Sequence, residues 1–160
     1  MNGERVFVGL GANLGDARAA VLVACEQLAA LRGSRLVARS SLYRSAPVDA
    51  QGPDFCNAVA ELRTSLDPQV LLQMLLAIEH QHGRQRPYRN AARTLDLDLL
   101  MYGQQQVDLP ELTLPHPRMH QRAFVLLPLL ELAPDVVHPR LGPIAALAAD
   151  LTQQRIERIG

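Results

Sequence analysis

The chain has 160 residues, is 48% hydrophobic and 20% charged, and sets 16 cations against 16 anions. Those figures suit one globular domain over residues 1–160, exclude a disordered chain, and give no global attraction to nucleic acid or an acidic membrane. Every cation is arginine and lysine is absent, which excludes lysine-dependent phosphate loops, protein kinases, Schiff-base enzymes and pyridoxal-phosphate enzymes, and leaves guanidinium to grip any bound anion.

The first residues lack a signal peptide's pattern and run straight into a strand over 5–10. Gly9-Leu10-Gly11-Ala12-Asn13-Leu14-Gly15 follows it but misses the dinucleotide fingerprint, because the third glycine comes one residue late and no acid closes the second strand. It reads as a tight turn. Asp16 caps a predicted helix over 17–32, whose stripe is Val21, Ala24, Cys25, Leu28 and Leu31, with Gly33 as its stop. A second strand is expected over 34–43, a loop over 45–54, and a third strand over 55–64 with Asn57 in an apolar start. Asp67-Pro68 opens a helix that runs to His82, with Leu71, Leu75 and Ile78 inward and Gly83 as its stop.

Residues 84–93 form a basic loop, and 94–102 alternate as a fourth strand. A hairpin over 103–114, a helical stretch over 121–132 and a last helix after Pro143 complete the chain. The order β-α-β-β-α-β predicts an α+β ferredoxin-like sandwich, an antiparallel sheet with helices on one face, followed by the C-terminal hairpin and helices. Cys25 and Cys56 fit no metal pattern and read as buried free thiols. The longest apolar run, 124–132, is broken by Pro128 and Glu131 and is too short for a bilayer. A soluble protein of the reducing cytoplasm is expected.

Leu95-Asp96-Leu97-Asp98-Leu99 carries the clearest chemistry. Strand alternation puts both carboxylates on one face, with Cα atoms about 6.7 Å apart and the leucines behind. Such a pair can hold one or two Mg²⁺ ions, with phosphate oxygens and water completing the shell; a bare pair is equally the solvated face of an amphipathic strand. Arg84, Arg86, Arg89 and Arg93 lie just before it. A basic loop feeding an acidic strand suits a metal-phosphate site, where arginines neutralise charge on phosphoryl oxygens. Downstream, Leu114-Pro115-His116-Pro117-Arg118-Met119 and Arg122 form a second polar cluster at a helix entry. Asn57 could match the edge of a heterocycle, with Phe55 and Phe124 as flat faces.

Together these segments resemble the 6-hydroxymethyl-7,8-dihydropterin pyrophosphokinase family. The matching runs include Gly11-Ala12-Asn13-Leu14, Ser40-Ser41-Leu42-Tyr43-Arg44, Asp54-Phe55-Cys56-Asn57-Ala58, Arg93-Thr94-Leu95-Asp96-Leu97-Asp98 and Pro115-His116-Pro117-Arg118-Met119. The resemblance implies pyrophosphate transfer from ATP to the pterin hydroxymethyl group, with release of AMP, in folate biosynthesis. It implies Asp96 and Asp98 as ligands of two Mg²⁺ ions, and Arg84 and Arg93 as phosphate-contacting catalytic residues. Glu79, His116 and Arg122 resemble the family's ATP-binding residues, with Leu99 and Thr113 lining the nucleotide pocket. Asn57 resembles the reader of the pterin edge, between Phe55 and Phe124, and the backbone of Ser45, Ala46 and Val48 would read the remaining pterin atoms. A monomer without nucleic-acid or membrane partners is expected. The family's usual loop tryptophan is missing: the segment here is Arg89-Asn90-Ala91-Ala92-Arg93.

Overall fold

A computed structural model describes residues 3–13, 16–46, 54–82 and 95–160. The chain begins with β1 (Glu4–Ala12), α1 (Ala17–Ala29), β2 (Ser34–Arg39), β3 (Tyr43–Ser45), β4 (Phe55–Thr64), α2 (Pro68–Gln81) and β5 (Asp96–Tyr102). A hairpin of β6 (Val107–Leu109) and β7 (Leu112–Leu114) follows, then a 3₁₀ turn (Met119–Gln121) and α3 (Ala123–Leu132). The chain closes with β8 (Val137–His138), β9 (Gly142–Pro143), α4 (Ile144–Ala149) and β10 (Ile156–Arg158). Asp16 does cap α1, its carboxylate accepting from the Ala19 amide at 3.0 Å.

The main sheet runs β10-β3-β4-β1-β5, with β2 paired to the far half of β4, and every pairing is antiparallel. This is the expected frame. Strand alternation then divides the protein into two cores. Val6, Val8, Leu10 and Ala12 of β1, Cys56 to Leu62 at even positions of β4, and Leu97 and Leu99 of β5 pack against Val21, Ala24 and Leu28 of α1 and Leu71, Leu75 and Ile78 of α2. Phe7, Val59, Leu100 and Met101 project the other way and are covered by Met119, Val125, Leu126 and Leu129, with Ile144 of α4. Helices therefore cover both faces, not one. The C-terminal segment supplies the second layer.

The expected strand over 34–43 is two strands. Ser40 ends β2 because its hydroxyl leaves the ladder pattern, accepting from the Val59 amide at 2.9 Å and donating to the Ser41 carbonyl at 2.8 Å. Glu131 of α3 then takes the Ser41 amide at 2.9 Å, so that donor is lost to strand pairing. β5 starts at Asp96, with Leu95 before it outside the strand and residue 94 outside the described residues, and α3 starts at Ala123 after its 3₁₀ turn. Cys25 and Cys56 are buried free thiols, and burial pushes the Cys25 thiol up to about 11. No helix among the described residues is long and apolar enough to cross a membrane.

Candidate active site

Pairing register builds the site from a line of residues that crosses four strands. Asp96 faces Gly11, Gly11 faces Asn57, and Asn57 faces Tyr43. Directly opposed residues share a face of the sheet, so all four project toward the α3 side. The next row on that face is Asp98, Gly9 and Val59. The two carboxylates and the buried Asn57 amide thus lie on one surface, separated only by glycines. Gly9 and Gly11 are interior residues of β1 and not turn residues, a correction to the sequence reading. A methyl added to Gly11 would stand 3.2 Å from Asn57 Oδ1, so the missing side chain leaves room for that oxygen, whereas at Gly9 the Leu100 side chain packs over the backbone.

β5 forms one edge of the sheet, and its outward backbone groups are taken by two other segments. Glu79, buried on α2, accepts from the Leu97 amide at 2.7 Å, between the two aspartates. The His116 amide donates to the Leu100 carbonyl at 2.8 Å. That second bond docks the Pro-rich loop on the edge and brings the His116 ring to Asp98, with Nε2 to Oδ1 at 4.0 Å. The His116 Nδ1 accepts from the Arg118 amide at 3.1 Å, so the neutral ring carries its proton on Nε2. Burial, reinforced by the charges of Arg122 and Arg118, pulls this imidazole down to about 4 against the opposing pull of Asp96. At neutral pH His116 is an uncharged donor.

Arg122, at the start of α3, places Nη1 3.9 Å from Asp98 Oδ2 and its guanidinium carbon 5.5 Å from the centre of the Phe124 ring. Phe124 and Phe55 are both half-buried. The Asn57 Nδ2 donates to Ser45 Oγ at 2.6 Å. Among the described residues no cluster of three or more His, Cys, Asp or Glu groups forms a metal cage. The pair Asp96 and Asp98 is thus a partial ligand set of hard oxygens, which is the kind Mg²⁺ uses when it keeps waters and phosphate oxygens in its shell.

Most of the expected residues meet here: Asp96, Asp98, His116, Arg122, Asn57, Phe124 and Phe55. Arg84, Arg93 and Val48 lie outside the described residues. Ser45 is buried at the end of β3 and Ala46, just beyond it, is exposed. The Leu99 side chain belongs to the core on the opposite face, so it cannot line a pocket on this one. By the two-residue period its backbone faces the same free edge as that of Leu97. Thr113 lies on the outer side of β7, between the inward Leu112 and Leu114. The residues that sequence reasoning missed are the two glycines, whose spacing of two was the available signal, and the Ser45 hydroxyl, which had none.

A family profile described as 7,8-dihydro-6-hydroxymethylpterin-pyrophosphokinase (HPPK) matches residues 7–134. A 2-amino-4-hydroxy-6-hydroxymethyldihydropteridine pyrophosphokinase of Pseudomonas aeruginosa is 46% identical over 157 residues, covering 98% of this chain and 97% of its own. The enzyme of the same name from Haemophilus influenzae is 38% identical and covered to 96% on both sides. Among solved structures, an HPPK-DHPS in complex with substrates superposes with a TM-score of 0.78 at 12% identity. That likeness covers 96% of this chain but only 44% of the longer one, and it concerns the fold.

Proposed function

The chain belongs to the 7,8-dihydro-6-hydroxymethylpterin-pyrophosphokinase family, and from that premise we propose that its α3-side face joins ATP to a pterin alcohol. It is a pyrophosphokinase of folate biosynthesis. The reaction transfers pyrophosphate from ATP to the hydroxymethyl oxygen of 6-hydroxymethyl-7,8-dihydropterin. The alcohol oxygen loses its proton to solvent and bonds to the β-phosphorus, the bond from that phosphorus to the α–β bridging oxygen breaks, and AMP leaves.

The observation that carries this reading is the row Asp96–Gly11–Asn57 on one face. It supports a phosphate end and a heterocycle end separated by bare backbone. At the phosphate end Asp96 and Asp98 would hold two Mg²⁺ ions, which when bound neutralise triphosphate charge and fix its oxygens. Arg122 adds a fixed positive charge beside Asp98, and the neutral His116 offers an Nε2 proton to nucleotide oxygens. Glu79 supports the edge from which Asp96 and Asp98 project. Thr113 and the backbone of Leu99 border the nucleotide in the same reading, and Arg84 and Arg93 contact its phosphates. At the other end Asn57 reads the pterin edge with Ser45, Ala46 and Val48 beside it, while Phe55 and Phe124 stack on the ring. One pyrophosphokinase domain, acting as a cytoplasmic monomer, completes the proposal.

The test is product identity. Incubation with MgATP and 6-hydroxymethyl-7,8-dihydropterin should release AMP in step with alcohol consumed. EDTA should stop it and added Mg²⁺ restore it. Release of ADP in place of AMP, or no turnover, would overturn the reading.

A further inference from the structure

Asn57 is 3% exposed, so its amide groups must find partners. One is internal: Nδ2 donates to Ser45 Oγ at 2.6 Å, and Ser45 is itself buried. On the opposite flank, a methyl added to Gly11 would stand only 3.2 Å from Asn57 Oδ1. Since β3 and β1 lie on opposite sides of β4, the carboxamide is stretched across the sheet, nitrogen toward β3 and oxygen toward β1. The last torsion of asparagine is broad, so rotamer preference does not hold such an orientation. The neighbours must. Ser45 consumes one amide hydrogen, which leaves the second hydrogen and Oδ1 as an adjacent donor and acceptor.

We propose that Ser45 and Gly11 are positioning residues for pterin recognition. The Ser45 hydroxyl anchors the Asn57 carboxamide from β3, and the bare Gly11 Cα gives its oxygen room on β1. Asn57 then presents one fixed donor–acceptor edge to a heterocyclic amide. The inference rests on the assignment of Asn57 to the pterin made above. It gives the Ser45 side chain a role beyond its backbone, and it gives Gly11 a task of its own.

Steady-state kinetics with each substrate varied in turn test it. Ser45→Ala should raise the pterin KM about tenfold, the scale of one lost buried hydrogen bond, while kcat and the ATP KM stay within about twofold. Ser45→Thr, which keeps the hydroxyl, should restore the pterin KM. Gly11→Ala should raise it independently by displacing Oδ1. In an Asn57→Ala background, Ser45→Ala should add nothing, because the group it orients is gone. Equal effects of Ser45→Ala with and without Asn57, or a lowered melting temperature with an unchanged pterin KM, would overturn the clamp. If Asn57→Ala itself leaves the pterin KM unchanged, the pterin assignment fails first, and the two failures are told apart.

Discussion

Asp98 has a neutral imidazole on one side and a guanidinium on the other, both at about hydrogen-bonding reach plus one ångström. Its side chain remains 36% exposed, so removing it opens no core cavity. If they hold Mg²⁺ as proposed, Asp96→Ala and Asp98→Ala should each lower AMP formation at least about a hundredfold, since several kcal/mol of charge stabilisation would be lost. The thermal melt should move by only a few degrees, and wild-type rates in both variants would remove these residues from the reaction. At this scale the sequence was informative wherever chemistry follows strand period. The two carboxylates and the leucines behind them sit where alternation puts them, while the place of Asn57 on the carboxylate face follows from the register of β4 against β1. The Ser45 bond to Asn57 was hidden because it depends on how β3 registers against β4, which no local pattern encodes.

At the scale of elements, two carboxylates fasten one segment to another. Glu131 near the end of α3 accepts from the Ser41 amide, the Ser41 hydroxyl and the Tyr43 hydroxyl, which ties that helix to the bend before β3. Burial pushes the Glu131 carboxyl up, but these bonds and the Arg158 charge outweigh it and hold the group below its ordinary value of 4.5. Burial and the same carboxylate push Tyr43 up to about 12. A depressed carboxyl stabilises the fold above its unfolded pKa, and that contribution fades as pH falls through the folded value. Glu131→Ala should therefore cost about 1–2 kcal/mol at pH 7. In urea titrations the gap to wild type should narrow below about pH 4. A pH-independent gap would deny the linkage.

Glu79 gives a second case. Glu79→Ala leaves the buried Leu97 amide without that acceptor and should destabilise the chain by about 1–3 kcal/mol. A variant that alters only the ATP KM, with unfolding unchanged, would confine Glu79 to nucleotide contact. The break between β2 and β3 was unreadable in sequence for the same reason: one of its causes lies 90 residues downstream in Glu131. The Asp16 cap is local chemistry and could be read directly, whereas α1 ends at Ala29 and not at residue 32 before Gly33, and Asp67 opens α2 without a side-chain cap bond.

Over the whole molecule, the site stands where segments from all parts of the chain converge. β1, β4 and β5 lay its floor, and the first turn of α3 and the His116 loop stand beside it. The C-terminal segment closes the arrangement. Gln154 accepts from the Ala123 amide at 2.8 Å and donates to the Gln121 carbonyl at 2.7 Å, bracketing Arg122. β10 pairs with β3, and Arg44 meets Glu157 at 2.6 Å. Deleting residues 155–160 should loosen β3 and raise the pterin KM several-fold more than the ATP KM, which the same kinetics would detect. An equal rise in both would mean that the strand serves stability alone. Element order and the apolar periods made the βαββαβ frame readable. The two C-terminal helices were readable as helices, but not that they cover the sheet's other face, since that depends on contacts between Phe7, Val59, Leu100 and Met101 and residues far along the chain. β8, β9 and β10, of two or three residues, carry no period to detect.

The glycine-bare row has one more consequence, and it concerns length. Adjacent strands are spaced by their hydrogen bonds at about 4.8 Å, so Asp96 and Asn57, two strands apart, are held about 10 Å from each other. A sheet does not stretch, which makes that span a caliper for the acceptor. An alcohol with one extra methylene between ring and hydroxyl should seat its ring with near-normal affinity. Its oxygen should nonetheless overshoot the phosphorus and turn over at least about a hundredfold more slowly. Competition binding alongside AMP release would separate the two effects, and the enzyme would be seen to select its substrate by reach as well as by edge.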